Sequence, residues 1–267
     1  MATLRLGEAV VALDDEGRGA PVLLLHGFPT TRRLWRGVAP TLAGAGFRVI
    51  APDLVGYGES VAPPGVEPGM AAQAGWMLAL LDALGIERAA VVAHDVGTAA
   101  AQLLVARAPA RVSALVLMDG VHADEWAMDA VGGIRTWQEP ERLFRVLVRQ
   151  VRASSGSPVR LPEETVREVL APYEGAEGGA KLVRAARALR PQEVVEILPA
   201  LRERRVPALV LWGERDAYLD AERVGRPLAE LLGAELRVLP GGHFLPLDSP
   251  AEVAEAVRGF LATAALR

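Results

Sequence analysis

Short apolar runs alternate with amphipathic patterns along the chain. Six runs rich in alanine, valine and leucine have strand character, at residues 22–25, 49–52, 89–93, 114–118, 208–212 and 236–239. Most of them are separated by segments with apolar residues at three- and four-residue spacing, which is typical of helices. Strands that alternate with helices predict a parallel sheet covered on both faces. The pattern therefore indicates an α/β fold.

Two of the predicted helices have defined ends. Apolar residues at helical spacing from Met70 to Leu84 predict a helix that stops at Gly85, a good residue for the position after a helix. A capping box begins at Ser249, with Pro250 at the first helical position, and an apolar stripe follows it. The second pattern predicts the last helix of the chain.

The alternation stops between Gly120 and Val206, where helical patterns replace strands. We expect residues 120–206 to form a helical cap domain inserted into a core domain of residues 1–119 and 207–267. Inside this cap segment, "ERLFRVLVRQVR" places its apolar residues on one side of a helix. The glycine-rich stretch at 173–180 predicts a loop or hinge.

Composition narrows the class of protein. The 267 residues are 51% hydrophobic and 23% charged, with a net charge of −4, which is typical of a globular chain. No apolar run approaches the roughly 18 residues that span a membrane, and the chain has no cysteine for disulfides or thiolate metal sites. We expect a cytoplasmic monomer or homodimer that acts on a small apolar substrate and binds neither nucleic acid nor membrane.

The stretch "VAHDVGT" carries the first candidate for chemistry, Asp95. Its pattern predicts a strand, a sharp turn and a helix, the arrangement that exposes a nucleophile above the ends of the strands. Most such turns carry serine, which attacks carbonyl carbon. Attack by serine on saturated carbon would leave an ether that water cannot readily open, whereas aspartate leaves an ester. Asp95 therefore favours attack on an sp³ carbon.

Hydrolysis of such an ester needs a base that activates water and a carboxylate that orients this base. The sequence "LPGGHFLPLDSP" places His243 just after the last predicted strand, where it is the candidate base. Two carboxylates follow strands and could hold the imidazole, Asp216 and Asp119. The order nucleophile, acid, histidine favours Asp216, with Asp119 as the alternative.

The "HGFP" turn supplies a candidate oxyanion hole. Its glycine lets the backbone bend after a strand, so that the N–H of Phe28 can join the N–H of Val96. During hydrolysis these two donors would stabilise the developing anion on the carboxyl of Asp95.

The segments "HGFP", "DLVGYGES", "AHDVG", "WGERD" and "GGHF" resemble those of the α/β-hydrolase superfamily, and the aspartate in the turn resembles its epoxide hydrolase and haloalkane dehalogenase branch. The resemblance implies a mostly parallel sheet of about eight strands flanked by helices, with the cap inserted after strand 6. It also implies Asp95 as nucleophile, His243 as base and Asp216 as acid, beneath a cap that closes an apolar pocket.

The two enzymes of this branch differ in what stabilises the leaving atom. Epoxide hydrolases usually present two cap tyrosines to the opening ring, and this cap offers one, Tyr173. Haloalkane dehalogenases often place tryptophan after the nucleophile, where this chain has Val96; Trp126 or Trp137 could donate instead. We place both tryptophans, with Trp35, in the predicted substrate pocket.

The predicted function is hydrolytic opening of epoxides through an ester on Asp95. The alternatives are a haloalkane dehalogenase with the same triad, a ligand-binding member of the fold without turnover, and an esterase that uses water activated by His243. We expect no metal, because the four histidines lie in four different motifs, and no organic cofactor, because covalent catalysis supplies the chemistry.

Overall fold

The computed structural model describes residues 1–156 and 161–264. Within them, eight strands form one sheet: β1 (Ala2–Leu6), β2 (Ala9–Gly17), β3 (Ala20–Leu25), β4 (Phe47–Pro52), β5 (Ala89–His94), β6 (Val112–Met118), β7 (Ala208–Gly213) and β8 (Glu235–Leu239). Their order across the sheet is β1-β2-β4-β3-β5-β6-β7-β8. The strands from β3 to β8 pair in parallel, while β1 and β2 pair antiparallel. This is the α/β-hydrolase fold class that the sequence predicted.

The six predicted apolar runs correspond to β3–β8, but the pattern did not predict β1 and β2. These two strands form a hairpin at the edge of the sheet, where β1 is mostly exposed and the end of β2 is polar and exposed at Asp15 and Glu16. Continuous apolar runs mark strands that are buried on both faces. An edge hairpin lacks that pattern.

Twelve α-helices flank or cover the sheet within the described residues. They are α1 (Ala39–Gly44), α2 (Met70–Ala83), α3 (Gly97–Arg107), α4 (Met128–Arg135), α5 (Pro140–Ala153), α6 (Glu163–Leu170), α7 (Gly175–Ala188), α8 (Gln192–Val195), α9 (Leu198–Glu203), α10 (Arg226–Leu232), α11 (Leu245–Asp248) and α12 (Pro250–Ala264). Short 3₁₀-helical turns lie at Arg32–Gly37, Pro109–Arg111 and Ala171–Tyr173. No helix in these described ranges is both long and apolar enough to cross a membrane.

The ends of two helices confirm their predicted boundaries. Helix α2 is followed by Gly85 at φ +66°, the left-handed conformation that glycine adopts without a steric cost. Helix α12 begins at Pro250. The hydroxyl of Ser249 donates to the carbonyl of Pro240, so the start of this helix is tied to the loop after β8.

Six of these helices, α4 to α9, lie between β6 and β7, within the predicted cap segment. The apolar side of α5 is buried, as its pattern predicted. The predicted hinge at 173–180 is wrong, because most of this stretch belongs to α7. A Cβ at Gly178 would meet the main chain at Pro172, and one at Gly179 would meet Pro140. These glycines therefore allow close packing of a helix.

The parallel strands bring the candidate side chains to one edge of the sheet. Asp95 follows β5, Asp119 follows β6, Asp216 lies in the loop after β7 and His243 in the loop after β8. The carboxyl ends of neighbouring parallel strands meet at a common edge. Residues that follow four different strands can therefore assemble into one site.

Candidate active site

Asp95 occupies the sharp bend between β5 and α3. Its φ of +50° lies in the left-handed region, where a non-glycine residue costs about 1–3 kcal/mol. A Cβ at Gly97 would meet the main-chain oxygen of His26, so this close approach requires glycine. The bend thus holds a carboxylate in a strained conformation that the surrounding structure maintains.

The carboxylate of Asp95 faces two main-chain donors. The N–H of Phe28 donates to its Oδ2 at 2.7 Å, and the N–H of Val96 forms a second interaction with the same carboxyl group. These are the two donors expected for the oxyanion hole. The residue is only 6% exposed, so the interactions act away from bulk water.

The imidazole of His243 lies between two carboxylates. Its Nε2 is 3.7 Å from Oδ1 of Asp95, and its Nδ1 is 2.9 Å from Oδ2 of Asp216. The other oxygen of Asp216 accepts from the N–H groups of Tyr218 at 2.8 Å and Leu219 at 3.0 Å. This geometry fixes the carboxylate, keeps a proton on Nδ1 in either charge state of the ring, and turns Nε2 towards Asp95.

Asp119, the alternative acid, has other partners. Its Oδ1 accepts from the N–H of Gly213 at 2.7 Å, and its buried Oδ2 has no hydrogen-bond partner within the described residues. Burial, together with the charge of Asp216, raises the pKa of this carboxyl well above its usual value. A neutral acid costs less in that environment than a carboxylate does, and the carboxylate that contacts His243 is the one from Asp216.

Burial and neighbouring charges act in opposite directions on the pKa values of Asp95 and His243, which face each other. Burial alone would raise the pKa of Asp95, but the charge of His243 and the N–H of Val96 hold it below its usual value. Burial alone would lower the pKa of His243, but the charges of Asp216 and Asp95 hold it well above. The site therefore favours a carboxylate that faces an imidazolium.

Two further buried histidines contact main-chain groups near the site. Nε2 of His94 lies 2.6 Å from the carbonyl oxygen of His243, and the two rings are 5.2 Å apart. Burial and the charge of His243 lower the pKa of His94 to about 4, so this ring is neutral and donates through Nε2. His26 accepts from the N–H of Leu54 at 2.9 Å and anchors the turn that carries Phe28.

The loop that carries His243 is also tied to the cap segment. The carboxylate of Asp248 accepts from the N–H of Gly242 at 2.8 Å, the N–H of Gly156 at 2.9 Å and the hydroxyl of Ser155 at 2.6 Å. A Cβ at Gly242 would meet the main chain of Ser154 and Gly156. The end of α5 therefore rests directly on the loop that positions the imidazole.

A cavity opens over Asp95 and His243. Most of its wall is apolar and includes Phe28, Val121, Val131, Ile134, Leu147 and Phe244. Helices α4 and α5 supply one side of it. A mostly apolar wall with a few polar groups is typical of a site for small molecules, and the apolar wall strengthens the electrostatic interactions of those polar groups.

Three of the aromatic residues predicted for the site lie elsewhere. The hydroxyl of Tyr173 is fully buried against the main chain, where it accepts from the N–H of Gly58 and donates to the carbonyl of Thr30, both at 3.0 Å. Trp35 is buried within the core, and the indole N–H of Trp137 donates to Glu139 at 2.7 Å. None of the three lies among the described residues of the cavity wall.

Trp126 does line the cavity, but its indole N–H donates to the carbonyl of Ala123 at 3.0 Å. Sequence reasoning missed two polar residues of the wall, Tyr218 and Gln150. Tyr218 lies two positions after Asp216, and residues in loops after parallel strands often face the site, so its position was a usable indication. No sequence pattern indicated Gln150, because this residue lies on the polar face of an amphipathic helix.

Comparison with known proteins agrees with this architecture. A family model for the alpha/beta hydrolase fold matches residues 20–151. A haloalkane dehalogenase of Mesorhizobium japonicum is 30% identical over 277 aligned positions, which cover 95% of this chain and 88% of that protein. Haloalkane dehalogenase 2 of Mycobacterium bovis is 29% identical, with 91% of this chain and 88% of that one covered.

A solved structure has the same fold over its whole length. The crystal structure of the haloalkane dehalogenase DbeA from Bradyrhizobium elkani superposes with a TM-score of 0.84 at 30% identity, and covers 99% of this chain and 98% of that one. Fold and site together define an enzyme of the hydrolase type. The chain belongs to the α/β-hydrolase superfamily, in its haloalkane dehalogenase-like branch. The resemblance drawn from the sequence is confirmed.

Proposed function

We propose that the enzyme hydrolyses small apolar alkyl electrophiles through a covalent ester on Asp95. The observation that carries the proposal is the placement of the Asp95 carboxylate at the floor of the apolar cavity, with Phe28 N–H at 2.7 Å and the His243 ring at 3.7 Å. A carboxylate is a nucleophile without prior deprotonation, and the ester that it forms remains open to water.

The reaction has two steps. In the first, an oxygen of Asp95 attacks an sp³ carbon and the bond to the leaving atom breaks with its electron pair. In the second, His243 removes a proton from water, and the resulting hydroxide attacks the carbonyl carbon of the ester. The N–H groups of Phe28 and Val96 stabilise the tetrahedral oxyanion, which collapses to alcohol and free carboxylate.

Ester formation itself prepares the base. The charge of Asp95 is one of two that raise the pKa of His243, and alkylation neutralises it. The pKa of the imidazole then falls and its neutral form becomes more populated. The second step thus acquires a base as a consequence of the first.

We propose an epoxide as the substrate class. Opening the ring generates an alkoxide, and the wall of the cavity includes a phenol, Tyr218, that can donate to it. Halide displacement is the second candidate, favoured by the dehalogenase relatives from Mesorhizobium japonicum and Mycobacterium bovis. Against it, Val96 offers no side-chain donor after the nucleophile, and the indole of Trp126 is already hydrogen-bonded.

A trapping experiment tests the covalent mechanism. His243→Gln removes the base but keeps Asp95, so incubation with a panel of epoxides and haloalkanes should add one substrate mass to the protein, located at Asp95 by peptide mapping. Asp95→Asn is the matched control and should gain no mass. If His243→Gln stays unmodified while the wild-type enzyme turns over the same substrate, the covalent ester is refuted.

A further inference from the structure

The cavity contains few groups able to donate a hydrogen bond to a leaving atom. Among its described wall residues, four side chains carry such a donor: Trp126, Gln150, Tyr218 and His243. Trp126 donates to Ala123, and His243 is held between its two carboxylates. Two donors are left, and of these only the phenol of Tyr218 can give up a proton.

The position of Tyr218 is fixed by the triad itself. Its main-chain N–H donates to Oδ1 of Asp216 at 2.8 Å, the carboxylate whose other oxygen holds His243. Its ring packs edge-on against the imidazole, with ring centroids 5.0 Å apart at an angle of 78°. The side chain is half-buried, and within residues 1–156 and 161–264 its hydroxyl makes no hydrogen bond. The phenol is therefore both anchored and free to donate.

We propose that Tyr218 is the proton donor of the first step, from the loop after β7 rather than from the cap. This inference rests on the proposed function and narrows its substrate to electrophiles whose leaving atom is an oxygen that stays in the product, as in an epoxide. Gln150, on the cap-segment helix α5, adds a second hydrogen bond to the same oxygen without transferring a proton.

The proton cycle closes between neighbouring side chains. As Asp95 attacks, the ring C–O bond breaks, and the alkoxide takes the proton of Tyr218, which becomes phenolate. The imidazolium of His243 passes its proton to the phenolate through a water molecule. The neutral imidazole then takes a proton from the water that opens the ester. Epoxide and water become a diol, and every group regains its initial state with no net proton released.

This arrangement differs from one that expels halide. A halide leaves without needing a proton, so the proton that His243 removes from water must escape to solvent. A phenol that donates a proton to the leaving atom has no role in that sequence. The contact between Tyr218 and His243 therefore points to alkoxide as the leaving group.

The test compares leaving atoms in the Tyr218→Phe variant. Stopped-flow or rapid-quench kinetics measure ester formation with an epoxide, and with an alkyl halide or alkyl sulfonate of the same carbon skeleton. We expect the variant to form the ester from the epoxide about 100-fold more slowly or worse, and from the halide or sulfonate within threefold of wild type. Tyr173→Phe is the matched control, a tyrosine that lies outside the cavity, and should leave both rates unchanged.

Two results would overturn the proposal: an unchanged rate with the epoxide, or equal slowing with both kinds of electrophile at an unchanged unfolding temperature. Failure here is distinct from failure of the proposed function, because the latter shows as the absence of any adduct on Asp95 in His243→Gln.

Discussion

Replacement of Asp216 by asparagine should separate the two chemical steps. Oδ1 of Asp216 accepts from two main-chain N–H groups, those of Tyr218 and Leu219. An asparagine must keep its oxygen there, so its amide NH₂ turns towards Nδ1 of His243. The imidazole then accepts at Nδ1 and carries its proton on Nε2, which is the wrong tautomer for a base that faces Asp95.

The size of the effect follows from the distance between the charges. At 2.9 Å between Nδ1 and Oδ2 and an effective dielectric constant of about 20, the attraction between imidazolium and carboxylate is roughly 6 kcal/mol. Each 1.36 kcal/mol is tenfold in rate, so the variant should hydrolyse the ester about 10⁴-fold more slowly. Ester formation should change by less than about tenfold, since Phe28 still holds Oδ2 of Asp95.

Intact-protein mass spectrometry during a single turnover provides the assay. Asp216→Asn should accumulate close to one equivalent of alkylated protein, which disappears slowly. Asp119→Asn is the matched control: the carboxyl of Asp119 lies against Gly213 with a strongly raised pKa, so a neutral amide should replace it at little cost. That variant should show wild-type turnover and no accumulated ester.

The opposite pattern would refute the reasoning. If Asp119→Asn accumulates the ester while Asp216→Asn turns over normally, the imidazole is oriented by Asp119 and the contact seen at 2.9 Å is not the functional one. If neither variant accumulates ester, hydrolysis does not depend on an oriented imidazole.

Three further predictions concern the supports of the site. The pKa of His94 is about 4, whereas an unfolded histidine titrates near 6.5. The stability that the neutral ring contributes above pH 6.5 should therefore be lost towards pH 4, by up to about 3 kcal/mol. Urea unfolding at pH 7.5 and 4.5 should show a smaller loss of unfolding free energy for His94→Gln than for the wild type. Tyr173→Phe removes two main-chain hydrogen bonds and should lower the unfolding free energy by about 1–3 kcal/mol with turnover retained. Gly242→Ala places a methyl group against the main chain of the cap segment; it should lower the unfolding free energy by about 1–3 kcal/mol and slow ester hydrolysis more than ester formation in the single-turnover assay.

Each of these has a clear contrary outcome. Equal acid sensitivity of His94→Gln and wild type would assign the loss to other groups. A Tyr173→Phe variant that keeps its stability but loses epoxide opening would show that Tyr173 acts in the reaction. Wild-type rates for both steps in Gly242→Ala would show that the loop of His243 is independent of the cap segment.

Much of the fold followed from local patterns. The apolar runs predicted β3 to β8, and the glycine and proline signals placed the ends of α2 and α12. These features depend on residues close together in the chain, so the sequence alone carries them. The edge strands and the helix α7 were not predicted, because their patterns acquire meaning only through packing against distant segments.

The sequence by itself determined the family, the bend that carries Asp95 and the candidacy of His243, since each is a short motif of fixed local geometry. Only the tertiary structure decided which carboxylate meets the imidazole, that the hydroxyl of Tyr173 is bound to the main chain, and that Tyr218 lines the cavity. These outcomes depend on contacts between residues up to 143 positions apart. Hydrogen-bond partners and burial at such separations are set by the packing of the whole chain, which no local pattern encodes.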